Sequence, residues 1–197
     1  MKQKILEIEN KVKELREELE SFKKSLKINV PELGEVVEIA GFEWIILDKT
    51  DKGYLALSSN QICSSEFGSN NDWKESKIRK FLNEEFYEQF QKYLGDDAII
   101  PIERNLLSLD GQDEYGTCID KVSLISVDEY RKYRKHIPNT EEYWWWTITP
   151  DSTQCNKDSK WISVVSPSGH IGYNNYYGNF GVRPVCIFSF SIFESGE

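Results

Sequence analysis

Ile5, Ile8, Val12, Leu15, Leu19, Phe22 and Leu26 recur at alternating steps of three and four, and most residues between them are charged or carry amides. That spacing is the a/d seam of a coiled coil, with Ile5, Val12, Leu19 and Leu26 at a and Ile8, Leu15 and Phe22 at d. It predicts a helix over residues 1–28. So narrow a stripe covers little of a globular surface, and an isolated helix of this length is marginal in water. Self-association through those seven residues is therefore expected. No polar residue occupies an a position, so dimer and trimer both stay open. Pro31 ends the helix by pushing the residue before it out of helical geometry.

Beyond Pro31 the apolar period shortens to that of strands. Residues 36–39, 42–48 and 54–58 read as an antiparallel meander closed by an A-G turn and a K-T-D-K-G turn. Asp72, with Glu75 three residues on, reads as a capping box, and Ile78, Phe81, Leu82, Phe86 and Phe90 then mark one helical face. A loop-rich stretch runs from 95 to 120, and 121–125 reads as a short buried strand. Ser126 and Glu129 form a second capping box, opening a helix that ends near Tyr133. Residues 143–149, 161–165, 170–173 and 182–189 all read as strands, with S-P-S-G as a tight turn between the middle two. The prediction is an α+β chain: a coiled-coil helix over 1–28, then a head over 35–193 with an antiparallel twisted sheet and two helices.

Charge divides along the same boundary. The chain is −9 overall, yet residues 1–28 hold eight lysines and arginines against six glutamates, which leaves 16 against 27 for the rest. A head this acidic repels phosphate backbones, so no nucleic-acid partner is expected. No apolar run is long enough to span a bilayer and no signal-peptide core opens the chain, which predicts a cytosolic or virion-associated protein with no membrane partner. The four cysteines, at 63, 118, 155 and 186, lie far apart without C-x-x-C spacing, as small core residues would. The sequence holds no metal-ligand cluster, no phosphate-cradling glycine loop and no nucleophile motif, so neither metal nor cofactor nor catalytic residue is assigned.

Two stretches are candidate contact surfaces. Tyr143 to Trp146 places four aromatics in a row, and in a strand only one alternate pair faces a ligand while the other fills the core. Trp145 is the member expected at the ligand face. The second is G-Y-N-N-Y-Y-G-N: Tyr173, Asn174, Asn175, Tyr176, Tyr177 and Asn179 combine rigid amphipathic rings with adaptable amides, the chemistry of antibody paratopes. Arg183 lies in an otherwise apolar strand, so a buried guanidinium there calls for a carboxylate partner.

Five segments in order, G-F-E-W-I-I-L-D (41–48), W-K-E-S-K-I-R-K-F-L-N (73–83), D-K-V-S-L-I-S-V-D-E-Y (120–130), W-W-T-I-T-P (145–150) and G-V-R-P-V (181–185), resemble a bacterial and phage family, domain of unknown function 6273. They span nearly all of the head but not the coiled coil. The resemblance implies a C-type-lectin-like fold of the formylglycine-generating-enzyme type, with an irregular ligand face near the C-terminal strands. Proteins of that class diversified by retroelements bind through similar Tyr/Asn-rich stretches. Asp120 and Arg183 both fall in matching segments, so Asp120 is the expected ion-pair partner. Thr147 and Ile148 stand where the family usually has Leu-Arg, which leaves the role of that arginine unfilled. The lectin calcium triplets and the paired cysteines of the oxidase are missing, so the fold brings no chemistry with it.

The function expected is a non-enzymatic recognition module, phage- or mobile-element-encoded, binding a host protein or glycan through coiled-coil-multimerised heads, either on the virion or as an inhibitor inside the host cell. The alternatives are an enzyme on the formylglycine-generating scaffold and a structural virion component.

Overall fold

In the computed structural model, which describes residues 2–25 and 30–194, the N-terminal heptads form helix α1 (Lys2–Ser25). Ile5, Ile8, Val12 and Leu15 are exposed on it. Leu26 lies outside the described residues, as do the side chains of Leu19 and Phe22.

Strands dominate the rest, with few helices. The meander is β1 (Val36–Ile39), β2 (Phe42–Lys49) and β3 (Gly53–Ser58), followed by β4 (Cys63–Ser65). A continuous helical segment comes next: α2 (Lys77–Phe81), a π-helical turn (Leu82–Phe86) and α3 (Tyr87–Leu94). Then come β5 (Ile99–Ile100), β6 (Ile102–Asn105), β7 (Thr117–Asp120), β8 (Ser123–Leu124) and α4 (Val127–Tyr133). The chain finishes with β9 (Trp145–Pro150), β10 (Trp161–Val165), β11 (Ile171–Asn175), β12 (Phe180–Val182), β13 (Pro184–Ser189) and the short α5 (Ser191–Glu194).

The strands make three sheets instead of one. The first runs β1-β2-β3-β13-β5, with β8 also on β13; the second runs β11-β10-β9-β12-β4; β6 and β7 form a ribbon of their own. All pairings are antiparallel except that of β12 with β9. The polypeptide leaves the second sheet after Val182 and enters the first at Pro184, so Arg183 stands at the crossover.

Alternation along the strands sorts side chains into two apolar clusters. Trp44, Ile46, Tyr54, Ala56, Trp146, Ile162, Val164 and Phe188 enter the larger one, which the helical segment caps with Ile78, Leu82, Phe86 and Phe90. Their neighbours Ile45, Leu47, Leu55, Leu57, Trp145, Val165 and Val185 enter the other, which α4 covers with Tyr130 and Tyr133. Because both faces of the central strands are covered, β3 and β9 are buried at every position.

Local chemistry places the helix starts. The predicted Asp72–Glu75 capping box does not form. Asp72 caps only a single 3₁₀ turn, accepting from Lys74 N at 2.9 Å, and the Glu75 carboxylate accepts from Asn70 Nδ2 instead. Ser76 caps the helix proper, taking Arg79 N at 3.0 Å. The Ser126–Glu129 box forms as expected: Ser126 Oγ accepts from Glu129 N at 3.1 Å and the Glu129 carboxylate accepts from Ser126 N at 2.8 Å.

Candidate functional site

The tyrosine–asparagine stretch comprises edge strand β11 and the turn that follows it. In the pairing of β11 with β10, Tyr176 N donates to Lys160 O and Ser166 N donates to His170 O, which fixes which backbone groups face β10. Gly172 and Asn174 face the partner strand, and Ile171 and Tyr173 point their N–H and C=O to the free edge. The edge closes at its C-terminal end. Asn175 N donates to Asn174 Oδ1 at 2.8 Å, and Asn175 O accepts from Gly178 N at 2.8 Å. The two asparagines thus terminate the edge and build the turn, the use expected of residues that hydrogen-bond their own backbone.

The tyrosines divide by position. Tyr173 is 62% exposed and packs edge-on against Trp161, with ring centroids 5.6 Å apart. Tyr177 is 64% exposed and packs edge-on against Tyr176 at 5.5 Å. Tyr176 is half-buried against the larger cluster, and its carbonyl accepts from Phe67 N at 2.8 Å, pinning the turn to the loop after β4. Asn174 is half-buried, Asn175 is buried with Oδ1 unpartnered, and Asn179 is exposed. Two rigidly seated aromatic rings and two amides therefore reach water.

Trp145 does not join them. It is 1% exposed, in the second cluster beside Tyr130, because β9 is an inner strand with both faces covered. The exposed member of the run is Trp144, 40% exposed and lying against Gly172, where a Cβ would meet its ring at 3.2 Å. Strand β9 starts one residue later, so the alternation that grouped Trp144 with Trp146 does not extend to it.

The expected Asp120–Arg183 pair is also corrected. Asp120 is buried, but it accepts from Arg79 Nε and from Trp73 Nε1, each at 2.7 Å. Arg183, at the crossover between sheets, donates Nε to Ser58 O at 3.0 Å and lies over the Trp145 ring at 4.7 Å, with both Nη atoms unpartnered. Burial pushes its pKa down to about 10, so it stays a cation at neutral pH. An indole face and one carbonyl take the place of a carboxylate.

A second polar constellation escaped the sequence reading. Asn83, at the π turn, accepts from Lys121 N and Val122 N and donates to Val122 O, locking the helix to the strand that carries Asp120. Buried Arg104 on β6 donates to both Glu129 carboxylate oxygens. The Glu129 link is invisible in the sequence, where Glu129 is already accounted for by its capping box.

Burial raises the thiols of Cys186, Cys63 and Cys118, the last to about 11, the reverse of an activated nucleophile. Among the described residues no three His, Cys, Asp or Glu side chains gather as a metal site, and no helix is long and apolar enough to cross a membrane.

Residues 43–140 match the family model of a domain of unknown function, DUF6273. The DUF6273 match holds Trp73, Arg79, Asn83, Asp120 and Glu129, so the lock around Asp120 lies wholly inside it. W-W-T-I-T-P, G-V-R-P-V and the tyrosine turn lie beyond it. No curated protein and no solved structure matches the chain.

Proposed function

We propose that this protein is a non-enzymatic recognition module, with a C-type-lectin-like head that α1 multimerises through its heptad seam. Tyr173, Tyr177 and Trp144 form its contact surface, with Asn174 and Asn179 supplying hydrogen bonds. The observation that carries the reading is the exposure of Tyr173 and Tyr177 on backbone already pinned by β10, the Asn175–Gly178 turn and Phe67. Large rings held in place lose little entropy on binding, which is what makes tyrosine effective at interfaces. Joining several heads on one stalk multiplies weak single contacts into avidity. The setting we infer is a phage or mobile element, with a host protein as the partner and the protein acting inside the host cell or on the virion.

The test is capture of host proteins from lysate by the full chain and by a Tyr173→Ala/Tyr177→Ala variant. Tyr176 is spared because it packs in the core. The variant is expected to lose the specific partner while keeping its unfolding midpoint. Equal capture by both proteins would rule the surface out.

A further inference from the structure

Beside the tyrosine turn lies an open basin of about 890 Å³ between α2 and β7. The two are joined through the backbone: Tyr176 O accepts from Phe67 N, and Gly68 and Ser69 form the basin's rim. Lys74, Lys77, Lys80 and Lys121 line it together with the Arg79–Asp120 pair, against the carboxylates of Glu75 and Glu84. Lys74, Lys77 and Lys80 are exposed and have no ion-pair partner among the described residues. Lys121 is held in place, donating to Ile99 O at 2.8 Å with its ammonium 5.6 Å from the Tyr87 ring centroid. The lining is thus net positive in a chain whose formal charge is −9. Ile119, which lines the basin with these lysines, is 69% exposed, an aliphatic side chain open to water.

We propose that this basin docks an acidic segment of a partner protein, one that alternates carboxylates with aliphatic side chains. The inference rests on the reading of the molecule as a recognition module and adds the partner's charge and the place where it is read. On a head of net negative charge, a carboxylate entering this basin meets the exposed ammonium groups of Lys74, Lys77 and Lys80, and their field attracts it. Ile119 and Tyr87 give the partner's aliphatic groups an apolar place to land, which a phosphate backbone does not use. An extended peptide with side chains alternating between faces supplies both chemistries at once.

The probe is a fluorescein-labelled peptide of alternating glutamate and leucine, followed by anisotropy with the full-length chain. A lysine–leucine peptide and a single-stranded oligonucleotide serve as comparators. The acidic peptide is expected to bind, to weaken as salt rises, and to bind roughly tenfold or more weakly to Lys74→Glu/Lys77→Glu/Lys80→Glu, whose changes are all at exposed positions. Ile119→Ser should weaken it as well without altering the salt dependence. Binding that is absent, unchanged in the lysine variant, or surpassed by the oligonucleotide overturns the inference. The Tyr173→Ala/Tyr177→Ala variant, run in the same assay, separates the two ideas. Peptide loss only in the lysine variant supports the basin on its own, and the tyrosine surface still stands or falls by capture from lysate.

Discussion

Arg183 and Asp120 show how far a correct rule carries at the level of one residue. A buried guanidinium does call for compensation, but a carboxylate is only one source of it. Arg183 lies over Trp145 with its Nη atoms unpartnered, whereas Asp120 holds Arg79 and Trp73 together. The two residues therefore respond oppositely to removal. Asp120→Ala leaves an arginine and a buried indole N–H without their acceptor and is expected to cost about 3 kcal/mol in urea unfolding. Arg183→Met takes an incompletely satisfied cation out of the core and keeps the contact with Trp145, so it is expected to leave stability within about 1 kcal/mol or to raise it. A large loss in the arginine variant would show that its compensation is more complete than the geometry indicates.

Among the elements, α4 and the β6–β7 ribbon are joined by Arg104 and Glu129. Burial raises the Glu129 pKa, and the Arg104 guanidinium outweighs it, so the carboxyl ends below its ordinary value of 4.5. A carboxylate depressed by folding stabilises the native state above its unfolded pKa, and that contribution disappears as pH falls through the lower folded value. Thermal midpoints of the wild type should thus fall in acid, below about pH 5. Glu129→Gln, which leaves Arg104 buried without its counter-charge, should cost about 3 kcal/mol at neutral pH and flatten the acid slope. An unchanged slope in the variant would assign the acid sensitivity to other groups, Asp48 first among them, whose carboxyl the Tyr133 hydroxyl and Lys132 hold low.

For the whole molecule, the proposed function divides labour between a helical stalk and a head. Among the residues whose side chains are described, none of α1 belongs to either apolar cluster, and its described heptad positions are exposed. A chain lacking residues 1–28 is therefore expected to keep the head's unfolding midpoint and to drop in mass by light scattering to a single head. Unchanged mass would end the stalk proposal. The tyrosine turn is tied to the basin's edge through Phe67 and Gly68, so heads gathered on one stalk would each offer both.

Periodicity alone determined much of this protein. The heptad helix, most of the strands and the Ser126 cap all follow from side-chain spacing and turn chemistry, which act over a few residues. What needed the tertiary structure was every fact set by distant pairing. Trp145 is buried because β9 lies inside its sheet, and sheet order is not a local property. Asp120 chose Arg79 because α2 comes to rest beside β7, and Arg183 went without a carboxylate because it stands where the chain passes between sheets. The lysine basin exists only because α2 and β7, separated in sequence, meet at its edges. Local spacing fixes which way a side chain leaves the backbone, and packing decides what it meets there.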